Sequence, residues 1–166
     1  MGYNVSIQSS TFKIPAENLG VAYEKMCKLN YTTHKNEKRG GCWPGKDTAP
    51  DYEPHQSVWF SWLDWNYDQV CNDAKDILEA LGFDCEYDED GNLYVQSYDQ
   101  KTGQEEMFLS SICSVSSGRI FWIGEDGSMW IEDYDNDSPK VFNINPNQIM
   151  DLVCNNDGHQ SDMPKN

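Results

Sequence analysis

Positive charge is what this chain has least of, and what there is sits at one end. Twelve of its 166 residues are Lys or Arg against 28 Asp or Glu, a formal net charge of −16. Seven of those bases (Lys13, Lys25, Lys28, Lys35, Lys38, Arg39 and Lys46) precede residue 47, so residues 47–166 hold 25 acids against five bases. A surface of that composition repels nucleic acid and anionic membrane and attracts basic proteins. Apolar runs long enough to span a bilayer are absent, and the first residues do not read as a basic-then-apolar leader. Six cysteines (Cys27, Cys42, Cys71, Cys85, Cys113 and Cys154) form no close-spaced framework. They read as free thiols of a reduced, cytoplasmic protein, although their even number leaves disulfides open. No internal repeat is present.

The usual chemical motifs are missing too. GGCWPGK at residues 40–46 lacks the spacing and the Ser/Thr of a Walker phosphate loop. A calcium loop counted from Glu86, Asp88 and Asp90 puts Ser97 where a bidentate Glu is needed; one counted from Asp133, Asp135 and Asp137 puts Ser138 at the glycine and Ile144 at the Glu. Cys27, His34, Cys42 and His55 are the available zinc ligands, at gaps that match no finger or ribbon. The same stretch holds the only Cys/His pairing for nucleophilic catalysis, Cys42 with His34 or His55. With 28 acids, a pair of carboxylates has no diagnostic value for hydrolysis. Neither a cofactor nor a metal is therefore expected. An enzyme has no positive signal, and a small one using Cys42 and its loop stands only as the alternative from another class.

What the chain does have is a well-specified core under an acidic exterior. Its 13% aromatic content argues against disorder, and at this length about two-thirds of the unfolded surface is buried in one domain. The organising stretch is residues 119–137, RIFWIGEDGSMWIEDYDND, read as a β-hairpin about Gly124-Glu125-Asp126-Gly127. Ile120, Trp122, Met129 and Ile131 are expected inside, with Glu125, Asp126, Glu132, Asp133, Asp135 and Asp137 outside.

Before it, Tyr3, Val5 and Ile7 alternate with polar residues as in a half-buried strand, which Phe12 and Ile14 are expected to continue. Pro15 suits a helix start, and Leu19, Ala22, Tyr23, Met26 and Leu29 make one apolar stripe. Periodicity then stops, predicting a long mobile basic loop at about residues 30–56. Residues 57–67, SVWFSWLDWNY, concentrate Trp59, Phe60, Trp62, Trp65 and Tyr67, either the lid of a core or a contact surface.

A helix beginning at Asp68 is predicted through Val70, Cys71, Ala74, Ile77, Leu78 and Leu81 to an αL cap at Gly82, with Asp73, Asp76 and Glu79 on its other face. Next, Phe83, Cys85 and Tyr87 alternate with Asp84, Glu86 and Asp88; a turn through Glu89, Asp90 and Gly91 leads to a partner strand with Leu93 and Val95. A short helix with Glu105 and Glu106 in its first turn directs Met107, Phe108, Ile112 and Cys113 inward. Residues 140–144 suggest a last strand and residues 145–153 a terminal helix. The fold class is α+β, a mainly antiparallel sheet of about five or six strands with two or three helices on one face. Residues 1–154 are expected to form a single domain and residues 155–166 a flexible tail.

The K-x-G-x-E-E pattern at residues 101–106, the LGF-acidic-turn-DG strand at residues 81–91 and the GEDG-x-x-W hairpin at residues 124–130 are similar to small acidic proteins of bacteria and their phages. In charge and size the chain also resembles phage anti-defence proteins of the anti-CRISPR or anti-restriction type, which imitate nucleic acid. That resemblance implies a binding protein acting by occupancy in the bacterial cytoplasm. Its carboxylates (Asp84, Glu86, Asp88, Glu89, Asp90, Glu125, Asp126, Glu132, Asp133, Asp135 and Asp137) are expected to engage the basic nucleic-acid-binding surface of a nuclease or CRISPR effector, with no direct contact to nucleic acid or membrane. Alternate residues on one strand face recur every ~6.6 to 6.8 Å, close to the phosphate repeat of a nucleic-acid strand. The alternatives among binding proteins are a toxin-immunity protein and an acidic host protein.

Overall fold

The structure, a computed structural model, describes residues 2–31, 40–42, 60–64, 66–102 and 105–147. In chain order these form β1 (Asn4–Ser10), β2 (Lys13–Ile14), a 3₁₀ turn and α1 (Leu19–Lys28), β3 (Gly40–Cys42), β4 (Phe60–Asp64), α2 (Tyr67–Val70) and α3 (Ala74–Leu81). There follow β5 (Asp84–Tyr87), β6 (Leu93–Ser97), β7 (Asp99–Lys101), α4 (Glu105–Ser111), β8 (Arg119–Gly124), β9 (Met129–Asp133) and β10 (Lys140–Ile144). The class is α+β with a mainly antiparallel main sheet, as the sequence predicts. Its strands are divided among a five-stranded sheet in the order β10-β9-β8-β1-β7, a three-stranded sheet β2-β6-β5, and the short parallel pair β3-β4.

The split begins early in the chain. Phe12 and Ile14 do not prolong β1. Its register against β8 shifts between Ile7 and Ser9, and the Ser10 hydroxyl accepts from the Phe12 amide at 3.1 Å. The chain thereby passes into the second sheet as β2, which pairs with β6. A bulge bends a strand and re-aims its side chains, and here Phe12 and Ile14 arrive at zero exposure in the common core. Gly118, at φ +95, lies against this crossing: a Cβ there would overlap the Thr11 carbonyl oxygen, so only glycine fits.

The core is one cluster of side chains from the two larger sheets, from Leu63 of β4 and from all four α-helices. The α1 stripe is inside as its spacing predicts, with Ala22 and Met26 at zero exposure and Leu19, Tyr23 and Leu29 packed beside them. Complete burial of side chains the size of Leu, Ile or Phe contributes roughly 1.5–3 kcal/mol each. The helix predicted to begin at Asp68 is broken into α2 and α3. Cys71 is extended at ψ 135°, and the Asp73 carboxylate caps α3 by accepting from the Asp76 amide at 2.9 Å, so the chain restarts there. Val70, on the wrong side of the break, is 52% exposed. Gly82 ends α3 in the αL conformation at φ 104°, as predicted.

Two further expectations are corrected. A strand, β3, lies within the stretch read as a structureless loop, paired with β4 from the aromatic-rich segment. In α4, Met107 is 39% exposed, and Leu109 takes the inward place beside Phe108 and Ile112. Lys35, Lys38, Arg39, Lys46, His34, His55, the Trp59, Trp62 and Trp65 side chains, the Cys42 side chain, most of the predicted terminal helix and the tail lie outside the described residues. No helix among the described residues is long and apolar enough to cross a membrane.

Candidate functional site

The acids predicted to form a partner-binding face fall into two classes, those that hold the fold together and those that point outward without a bond. The hairpin of β8 and β9 shows why. Gly124 and Ser128 close its turn, with Gly127 at φ 81°, and this sets Ile123 opposite Met129 and Trp122 opposite Trp130. Residues directly opposite share a face, so Trp130, Glu132 and then Tyr134 face inward with Ile120 and Trp122. Met129 and Ile131, expected in the core, lie on the other side and are half-exposed. Glu132 is thus carried inside.

Its carboxylate accepts from the Trp122 indole at 2.9 Å, the Trp130 indole at 3.2 Å and the Tyr134 hydroxyl at 2.6 Å. A buried charge is tolerated only where donors replace its lost water. Burial and the adjoining Glu132 carboxylate push the Tyr134 phenol far above its ordinary range. Asp133 is buried too, at 6% exposure. It accepts from Arg119 Nε at 2.9 Å and from the Asp135 amide at 3.0 Å. The Asp135 amide, with Arg119 beside it, holds the Asp133 carboxyl below its usual range. The expectation that Glu132 and Asp133 are surface contacts is therefore corrected: both are internal.

Three more of the predicted acids are exposed or half-exposed but tied to their own backbone. Asp135 accepts from the Gly118 amide at 2.7 Å. Asp88 accepts from the amides of Asp90 and Asn92 and from the Asn92 side chain at 2.8 Å, closing the β5–β6 turn. Those bonds, the Asn92 side chain foremost, lower its pKa. Asp126 accepts from the Ser128 hydroxyl at 2.6 Å and the Tyr3 hydroxyl at 2.5 Å, so its pKa falls to about 2. That bond links the hairpin turn to the residue just before β1.

Asp84, Glu86, Glu89, Asp90, Glu125 and Asp137 are exposed and make no side-chain hydrogen bond or ion pair among the described residues. Four of these six sit on β5 and its turn. There α3 adds acids of its outer face, beyond those expected as contacts. Exposed Asp73 and half-exposed Asp76 act on the Tyr87 hydroxyl, whose pKa is raised first by partial burial and then by Asp73. Tyr87, expected inside by alternation, is 46% exposed. Lys75, the base that acts on Tyr87, pairs with Glu79 one turn along α3, and Lys13, across the sheet on β2, acts on Asp88. Here β5 is the edge of its sheet, so the α3–β5 edge presents carboxylates around a protruding aromatic ring.

Among the described residues no group of three or more His, Cys, Asp or Glu is placed to hold a metal ion. Burial pushes the Cys71 thiol up to about 11 and the Cys85 thiol up to about 12, so both are poor nucleophiles at neutral pH. Against known proteins, no family model, no curated protein and no solved structure matches this chain.

Proposed function

We propose that the protein is an acidic inhibitor that occupies the basic nucleic-acid-binding surface of a nuclease or defence effector, acting in the bacterial cytoplasm, and that the α3–β5 edge is its contact surface. The observation that carries this reading is the exposure of unbonded Asp84, Glu86, Glu89 and Asp90 beside Asp73 and Tyr87. Acids that cap turns or fill the core are fully accounted for by folding; these are not. Nucleic-acid affinity depends heavily on Lys and Arg that neutralise phosphates, and covering such groups abolishes binding without chemistry. An exposed Tyr adds contact area that salt does not screen, and Tyr is a favoured anchor at interfaces. The likeness in charge and size to anti-restriction and anti-CRISPR proteins supports the same reading.

The test is competition. A labelled DNA duplex bound by each of a panel of basic restriction and CRISPR nucleases is titrated with the protein at low and high salt. Displacement from at least one nuclease, weakened by salt and lost in a Glu86→Lys, Glu89→Lys, Asp90→Lys variant with an unchanged unfolding midpoint, supports the proposal. Displacement by the reversed variant equal to that by the wild type, or none across the panel, overturns it.

A further inference from the structure

We propose that a cavity between α4 and the inner face of the five-stranded sheet is a binding site for an organic cation, an alkylammonium or guanidinium group on a slender apolar stem. The cavity has a volume of about 330 Å³, at the small end of the range for ligand pockets and suited to something the size of one long side chain. It lies apart from the α3–β5 edge and does not depend on the role proposed for that edge.

Three features of the lining set the chemistry. Glu105, Glu106 and Glu132 line the space, and no Lys, Arg or His is among its described lining residues. Its apolar wall comes from Trp122, Trp130, Leu109 and Val141. The two indoles lie nearly parallel, 15° apart, with centroids at 6.2 Å, and aromatic walls with carboxylates favour cations over anions. Finally, Glu132 is buried, at 9% exposure, yet its partners are neutral. Oε2 accepts from Trp122 and Tyr134, while Oε1 accepts from Trp130 alone. A carboxylate has about four acceptor positions, so one on Oε1 remains. No base among the described residues pairs with Glu132, so a cation entering the cavity would supply the opposite charge that a buried carboxylate ordinarily has.

The sheet explains why the space is there. Asn143 pairs with Trp130 across β10 and β9, and Val141 pairs with Glu132, so both belong to the inner face. Yet Val141 is 57% exposed and Asn143 is exposed as well. The inner face therefore opens to solvent along β10, at the rim of the cavity.

The experiment follows the indole N–H resonances of Trp122 and Trp130 by NMR, with calorimetry in parallel. Agmatine and putrescine represent a free cation, capped arginine and lysine amides represent a protein side chain, and pentanol is the neutral control. Saturable shifts with the cations and none with pentanol are expected. Glu106→Gln should weaken binding about tenfold, and Asn143→Trp, at the exposed rim, should block it. Tighter binding of the capped amino acids assigns the site to a partner's side chain, and tighter binding of agmatine or putrescine assigns it to a small metabolite; either supports the proposal. The absence of a saturable shift at millimolar cation, equal shifts with pentanol, or unaltered affinity in Glu106→Gln overturns it. The variant reversed at Glu86, Glu89 and Asp90 should bind these cations normally, so failure here is distinguishable from failure of the proposed inhibitory role.

Discussion

Strands β5 and β9, Asp84-Cys85-Glu86-Tyr87 and Met129-Trp130-Ile131-Glu132-Asp133, each mix two acids with aromatic or apolar residues, and they use those acids in opposite ways. On β5 the carboxylates of Asp84 and Glu86 point outward while Cys85 is buried. On β9 the acids are the buried residues, and Met129 and Ile131 are half-exposed. Charge therefore does not by itself decide which face a strand turns inward. Register and the supply of donors decide: β9 is fixed by a turn that sets Trp130 against Trp122, and the indole and phenol groups there satisfy a carboxylate. Glu86 makes no side-chain hydrogen bond among the described residues, although Tyr94 lies opposite it on β6.

The largest expected effect comes from breaking the β9 side. Glu132→Leu leaves the donors of Trp122, Trp130 and Tyr134 without an acceptor, and at about 1–3 kcal/mol for each unsatisfied buried group the loss should be about 3 kcal/mol or more, read as a fall in the urea midpoint. Glu132→Gln, which keeps one acceptor oxygen, should cost less. The matching change on the other strand, Glu86→Leu, should stay within about 0.5 kcal/mol of wild type. Equal losses at the two sites would dissolve the contrast.

A middle-sized effect separates acids that build from acids that only face outward. Asp73→Ala removes the cap of α3 and should cost about 1 kcal/mol in the same assay, whereas Asp84→Ala should cost almost nothing.

The smallest effect is one of pH. The carboxyls of Asp126, Asp88, Asp76 and Asp133 all titrate below their ordinary range in the fold. A depressed folded pKa stabilises above the unfolded value and loses that contribution as pH falls through the folded one. For Asp126 the contribution should be complete above about pH 4 and lost as pH approaches 2. Asp126→Asn should therefore be less stable than wild type at neutral pH, with the gap closing in acid. A gap independent of pH would show that the Tyr3 and Ser128 bonds do not depend on the charge.

Much of the fold was legible because period and punctuation agree. The α1 stripe, the capped end of α3 at Gly82 and the hairpins at Gly91 and Gly127 all follow from local rules. The misreadings share one cause, a tertiary choice between two locally equivalent options. Both sides of β9 carry bulky groups, and only the pairing of Ile123 with Met129 selects between them, since a strand's side chains exchange faces with every single-residue shift. Likewise nothing local to Phe12 and Ile14 says that they leave the first sheet. The outward acids of β5 were readable from alternation; exposed Tyr87 was not, because alternation groups it with Cys85, which is buried.

The bulge in β1 and the passage into β2 have a consequence for how the molecule comes apart. One unbroken thread of backbone is hydrogen-bonded into both antiparallel sheets, and its side chains seal the space between them. Neither sheet is able to melt while the other stays intact, so heat should undo the two in a single cooperative transition, with amides of β1 and β6 exchanging only on global opening.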